Sequence, residues 1–351
     1  MKPSVVLVTG VSREMGSRVA AQLAADDSIE RVIGVDTMPP GPRAIGALGR
    51  TEFVRADIRN PLIAKVVNSA NVDTVVHMNV RATPRSFGGR NAMKEMNVIG
   101  TMQLLAACQK SDTVRRFVLK STSAVYGASP NDPALFTEDK VPRVPPRSGY
   151  GRDAVEVEGY VRRYGRKRPD VSLTILRFAN FIGPDSDSAL LRYLSLPVVP
   201  VVLGYDARLQ FVHEDDALAV LGIAIGEDKP GVFNVAGEGV IPIRQAVARA
   251  GRVSLEVLPP LMSVAANVTK RMAKIDVSGD QLALIMYGRG MDIERLVNDF
   301  GYQPTFTTRE AFDDWVARRL TPVVTPALVG GAEQALVGML PDGDRFAEAS
   351  S

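Results

Sequence analysis

Short apolar runs alternate along the first half of the chain with longer stretches whose apolar positions recur every three or four residues, the pattern of strands alternating with amphipathic helices. Val5 to Leu23, VVLVTGVSREMGSRVAAQL, sets it: an apolar run, a break at Thr9-Gly10, then Gly16, Val19, Ala20 and Leu23 on one helix face. A second run, Arg31 to Val35, ends in Asp36. The alternation predicts a strand from Phe53 to Ala56 closing on Asp57, a helix to about Ser69 and a strand from Thr74 to His77. Beyond these it predicts a long helix from about Asn91 to Lys110, a strand from Phe117 to Ser121 and a helix leaving Tyr150. Strands joined by helices at this spacing give right-handed crossovers and a parallel sheet covered on both faces. The fold class expected is α/β, a Rossmann-type doubly wound sheet with a smaller C-terminal substrate-binding domain.

Ligands on such sheets bind beyond the carboxyl ends of the strands, where Gly10, Asp36, Asp57, His77, Thr122 and Asn180 fall. A helix that starts at a glycine turn above a strand presents free N–H groups and its positive dipole end, which suits a pyrophosphate. Gly10 permits the turn and Gly16 lets the helix sit close to the strand, but Arg13 stands where the backbone normally approaches the phosphate. Asp36 follows the turn by about 20 residues, where a carboxylate accepts hydrogen bonds from an adenosine ribose. That favours NAD over NADP, while Arg13 in the same loop offsets part of the repulsion of a 2′-phosphate.

Composition narrows the picture further. A chain of 351 residues, 46% hydrophobic, can bury a full core and suggests one large or two unequal domains. The net charge is only +3, and the basic run Arg162 to Arg168 reads as a solvated helix end, since no aromatic residues are spaced to stack bases. No nucleic acid is expected as a partner. The single cysteine, Cys108, excludes an internal disulfide and falls in an apolar helix pattern. His77 and His213 belong to no metal-ligand constellation, so no metal is expected. With no signal peptide and no apolar run long enough to cross a bilayer, the expected location is cytoplasmic.

The ordered motifs TGVSREMG, ADIRN, VVHMNV, NVIGTMQLL, STSAVYG, Tyr150-Gly151, RFANFIGP and FVHEDD resemble the extended short-chain dehydrogenase/reductase family. Within it the chain is most similar to UDP-glucose 4-epimerases and nucleotide-sugar dehydratases, over about Val5 to Trp315. The resemblance implies a cofactor site of Gly10, Ser12, Arg13, Met15, Gly16, Asp36, Asp57, Ile58, Met78, Asn79, Val80, Asn97, Ser121 and Tyr150. It implies Thr122 and Tyr150 as the catalytic hydroxyl pair, and Thr122, Asn180, Arg208 and His213 at the substrate, with His213 in a structural role. A phenol at Tyr150 would take a proton from a sugar hydroxyl as hydride leaves, while Thr122 hydrogen-bonds the same oxygen. The family's dimerising helices would begin near Asn91 and Tyr150, which implies a homodimer.

Three positions depart from the family. Its lysine, four residues after the tyrosine, is Ala154 here; its middle glycine is Arg13; and its arginine two positions before Phe211 is Leu209, with the arginine displaced to Arg208. On a strand one residue is a change of face. Lys120, two residues before Thr122 on the same side of its strand, is a candidate replacement for the missing cation. The expected domains are 1–184, an NAD-binding domain to which 208–236 returns; 185–207 with 237–320, an apolar cap; and 321–351, a mobile tail. Three functions stay open: an epimerase or dehydratase of a UDP- or dTDP-sugar, an oxidoreductase of an apolar hydroxy or keto compound, and a non-enzymatic NAD-binding scaffold or sensor.

Overall fold

The computed structural model describes residues 2–41, 46, 48–80, 89–146, 149–261 and 279–321. The expected tail beyond Thr321, and the part of the apolar segment LEVLPPLMSVAANV beyond Leu261, lie outside the described residues. Strands β1 (Val5–Thr9), β2 (Arg31–Asp36), β3 (Glu52–Arg55), β4 (Thr74–His77), β5 (Arg116–Thr122) and β6 (Ser172–Phe178) lie in one parallel sheet. Strands β7 (Asn180–Ile182), β8 (Val198–Val202), β9 (Arg208–Leu209) and β10 (Phe211–His213) follow, and then β11 (Gly231–Val235) returns to that sheet beside β6. Its order is β11-β6-β5-β4-β1-β2-β3, a doubly wound Rossmann-type arrangement that reverses direction between β1 and β4. Strands β12 (Ile241–Pro242) and β13 (Val253–Val257) pair with β9 and β8 respectively.

The helices are α1 (Glu14–Ala24), α2 (Ile63–Ser69), α3 (Arg90–Lys94), α4 (Gly100–Gln109), α5 (Gly149–Lys167), α6 (Ala189–Leu194), α7 (Glu214–Gly226), α8 (Ile243–Arg249), α9 (Gly279–Tyr287) and α10 (Thr308–Arg319). The period of two along each strand divides the core. From β1 and β5, Val6, Val8 and Val118 face a cluster with Val19, Leu23 and Val220 of α1 and α7. The alternate residues Val5, Leu7, Phe117 and Leu119 face a second cluster with Leu104, Val157 and Val161 of α4 and α5. Strands buried on both faces read as continuous apolar runs, which is why VVLVT and FVL show no polar alternation. A third cluster joins Leu191, Val199, Leu209, Val247, Phe312 and Trp315 around the β8–β13 and β9–β12 pairs. Each such aliphatic side chain stabilises by about 1.5–3 kcal/mol when fully buried.

Two expected helices differ in detail. The helix after Asp57 starts only at Ile63, because Asn60 N–H donates to the Asp57 carbonyl at 2.9 Å, Leu62 N–H donates to Asn60 Oδ1 at 2.9 Å, and Pro61 between them has no N–H to give. The long helix predicted from Asn91 to Lys110 is α3 and α4 joined by a π-helical turn, Glu95–Ile99. Apolar periodicity does not announce that extra residue in the turn.

Candidate functional site

The phosphate turn is as tight as its glycines suggest. A Cβ on Gly16 would come within 2.2 Å of the Gly10 carbonyl oxygen, and Gly10, at φ 82°, lies against the backbone of Asn79 at the end of β4. Arg13 caps α1 in an extended conformation, with no side-chain hydrogen bond to the helix. Asp36 is buried at the end of β2; its carboxylate accepts from Ser12 N–H at 3.2 Å and from Thr37 N–H at 2.7 Å. Ser12 Oγ donates to the Met38 carbonyl. Asp57 is gripped by Arg59, whose Nη2 lies 2.6 Å from Oδ2, and Ile58 beside it is buried.

A cavity of about 410 Å³ opens beyond β1, β4, β5 and β6, lined among others by Gly10, Arg13, Met15, Gly16, Met78, Val80, Lys120, Ser121, Thr122, Tyr150 and Asn180. Thr122 and Tyr150 both line it, and Thr122 Oγ1 accepts from Ala124 N–H at 3.2 Å. Burial pushes the Tyr150 phenol up to about 12, against the Thr122 hydroxyl and the charges of Arg13 and Arg289, which lower it. Ala154 is 1% exposed one turn further along α5. Lys120 shares the Thr122 face of β5, and its ammonium lies 5.2 Å from the Phe181 ring centroid. Burial, and then the charge of Arg13, draw its pKa down to about 8.

Other expected residues support the site from behind. Asn79 Nδ2 donates to Met96 Sδ at 3.5 Å, and Asn97, in the π turn, donates to Asp153 Oδ2 at 3.2 Å. Ser121 Oγ donates to Glu158 Oε1 at 2.6 Å, within a buried cluster where Arg177 Nη2 reaches Glu158 Oε2 at 2.7 Å. His77 is sealed below the cavity between Thr9 Oγ1 at 2.8 Å and Thr101 Oγ1 at 2.9 Å, and burial drives its pKa down to about 3. Burial likewise pushes the Cys108 thiol up to about 12.

Two residues expected at the substrate lie off this cavity. His213 caps α7: Nδ1 accepts from Asp215 N–H at 3.2 Å, Nε2 faces Asp314 at 3.4 Å, and the ring stacks on Phe306 at 4.0 Å. With both nitrogens and one face taken, it holds structure together. Leu209 points into the third core, and Arg208, one residue earlier, lines a separate groove of about 190 Å³ with Tyr205, Tyr287 and Arg289.

Arg289 is the main residue that the sequence reading missed. Its Nη1 donates to the Gly127 carbonyl at 2.7 Å, and its charge acts on Tyr150. Burial lowers its own pKa to about 10. Gly288 makes the approach possible: at φ 75°, a Cβ there would sit 2.3 Å from Arg208 N. The GRG step in MYGRGMD was the only signal. Asp280 was missed as well; its carboxylate accepts from Gly151 N–H at 3.1 Å at the start of α5. Among the described residues no cluster of His, Cys, Asp and Glu could hold a metal ion, and no helix is long and apolar enough to cross a membrane.

A doubly wound sheet with a glycine turn, a buried carboxylate at the end of β2, and Thr122 and Tyr150 over its carboxyl edge is that of a dinucleotide-binding protein of the extended short-chain dehydrogenase/reductase type. Residues 6–236 match the NAD dependent epimerase/dehydratase family, and the chain belongs to it. An uncharacterized protein of Mycobacterium tuberculosis is 50% identical over 340 residues, 96% of this chain and 90% of its own. Among solved structures, UDP-glucuronic acid 4-epimerase from Bacillus cereus matches with a TM-score of 0.68 at 21% identity, over 90% of this chain and 98% of that one. The dTDP-glucose 4,6-dehydratase DesIV from Streptomyces venezuelae matches with a TM-score of 0.68 at 22% identity, over 90% and 96%. At these identities the likeness is one of fold.

Proposed function

We propose that the protein is an NAD-dependent epimerase or dehydratase of a nucleotide sugar, with Thr122 and Tyr150 as its proton-handling pair. The observation that carries this reading is that both side chains line the cavity that also contains the Gly10–Gly16 turn. The residues fit a dinucleotide: the turn has no room for a side chain at Gly16, a buried carboxylate closes β2, and the Nε of Arg13 is buried with no partner. Asp36 favours NAD over NADP. When bound, the nicotinamide would accept and return a hydride. Tyr150 would take the proton of the substrate hydroxyl, Thr122 would hold the same oxygen, and Lys120 would supply a cation on the side where Ala154 has none. Arg208 and Arg289, together in the neighbouring groove, suit a diphosphate. Related folds bind such ligands: the Bacillus cereus structure holds UDP-glucuronic acid and NAD, and the Streptomyces venezuelae one NAD and TYD.

The test is incubation with a panel of UDP- and dTDP-sugars and NAD, with sugar products separated by chromatography and ligand binding followed by thermal shift. A converted sugar is expected, with Tyr150→Phe abolishing conversion. A second reading, a dinucleotide-binding scaffold without turnover, is favoured by the buried Ala154 and the raised Tyr150 phenol. Dinucleotide binding with no product from any sugar, at any pH up to 10, would select it.

A further inference from the structure

Arg13 is unusual for where its charge is held. It precedes α1 in the phosphate turn, lines the cavity together with Lys120, Thr122 and Tyr150, and makes no ion pair among the described residues. Its Nε is buried without a hydrogen-bond partner. Its charge is felt by Asp36, at the end of β2, and by Tyr150, on α5. Asp36 holds the turn from the β2 side, accepting from Ser12 N–H at 3.2 Å, while Tyr150 shares the cavity with Arg13. Its charge also reaches Lys120, another cation without a partner carboxylate among the described residues.

A desolvated cation with no counter-ion is costly, and such groups are normally paired. A dinucleotide carries its diphosphate between its two riboses. This cavity holds, in the glycine turn itself, a planar five-donor fork of the kind that binds phosphate oxygens in pairs. We infer that Arg13 is the ligand of the cofactor's pyrophosphate, a side chain doing what close backbone approach does when a glycine occupies the middle of the turn. This rests on the dinucleotide-binding reading above. A 2′-phosphate is the less suitable partner, because it would hang from the adenosine ribose beside the Asp36 carboxylate, which repels it.

The experiment is calorimetric titration of the full chain with NADH, NADPH and ADP-ribose, the last carrying the pyrophosphate without a nicotinamide. Wild type is compared with Arg13→Gln and Arg13→Lys, each checked for an unchanged melting temperature without ligand. Arg13→Gln is expected to lose about tenfold or more in affinity for NADH and for ADP-ribose by the same factor, with Arg13→Lys in between. The wild-type affinity for ADP-ribose should also fall more steeply with salt than that of the Gln variant. Should Arg13→Gln bind NADH as well as wild type, or better, the arginine is filler and the inference fails. A loss confined to NADPH would make it a 2′-phosphate ligand instead. If wild type binds no dinucleotide at all, the functional reading falls with it.

Discussion

Arg90 and Asp153 form a bidentate pair, with Nη1 and Nη2 each 2.6 Å from a carboxylate oxygen, and Nη2 also donates to the Gly149 carbonyl at 2.7 Å. Asp153 is fully buried one residue before Ala154, so this pair fixes the first turn of α5 and with it the direction of Tyr150. Arg90→Met would leave a buried carboxylate with only the Asn97 amide as partner. The expected cost is about 3–5 kcal/mol, read by urea unfolding. Arg90→Lys should recover only part of it, because an ammonium cannot make the fork contact. A loss below about 1 kcal/mol for Arg90→Met would show that the pair is a surface ornament.

The pH dependence of any turnover should follow Tyr150. With the phenol near 12, roughly one molecule in 10⁵ is ionised at pH 7, so the rate should climb up to the highest pH the fold tolerates. Ala154→Lys places a cation one helical turn from the phenol and should move that climb to lower pH. A rate independent of pH from 6 to 10 would remove the phenol from the rate-determining proton transfer.

Lys120 gives a prediction of opposite sign for stability and activity. Its folded pKa, about 8, lies below the ordinary lysine value of 10.5, so the unfolded chain binds the proton more tightly between these values. Stability should therefore rise with pH across that window, and at pH 7 the buried ammonium costs about 3 kcal/mol. Lys120→Met should raise the melting temperature at pH 7 and flatten the rise in stability between pH 8 and 10, while lowering turnover. A variant that is both less stable and equally active would refute the site role of Lys120.

His77 makes the fold sensitive to acid. Its folded pKa, about 3, lies below the ordinary histidine value of 6.5; the stability it contributes is complete above 6.5 and is lost as pH falls towards 3. By pH 5 the loss is about 2 kcal/mol. His77→Gln should weaken the fold at neutral pH and reduce that acid slope, as measured by urea unfolding at pH 7 and pH 5.

Much of this was legible in the residues because it is local. The β1 turn, Asp36 and the run Thr74 to His77 follow from apolar periodicity and from residue types at strand ends, while Thr122 and Tyr150 were implied by the family resemblance; the structure lines one cavity with the turn, Thr122 and Tyr150. What escaped was set by contacts across long stretches of chain. Arg289 reaches the Gly127 carbonyl, with Gly288 beside it close against Arg208 of β9, and Asp280 meets Gly151 from another core. Neither has a periodic signature. The shift from Leu209 to Arg208 could be read as a change of face, but not as entry into a second groove beside Arg289. The inward turn of the Arg13 side chain was equally invisible, since spacing fixes its backbone position and not its rotamer.

The returning strand β11 bears on how the chain is made. Between β6 and β11 the polypeptide builds α6, β8, β9 and β10, so the outer edge of β6 gains its partner only once Gly231–Val235 arrives. During synthesis that edge, with Leu173, Ile175 and Leu176 behind it, would stand bare with unpaired N–H and C=O groups while more than fifty further residues are added. An unprotected apolar edge templates pairing with other chains. Nascent chains stalled near Gly226 should therefore call on chaperones far more than chains released after Val235.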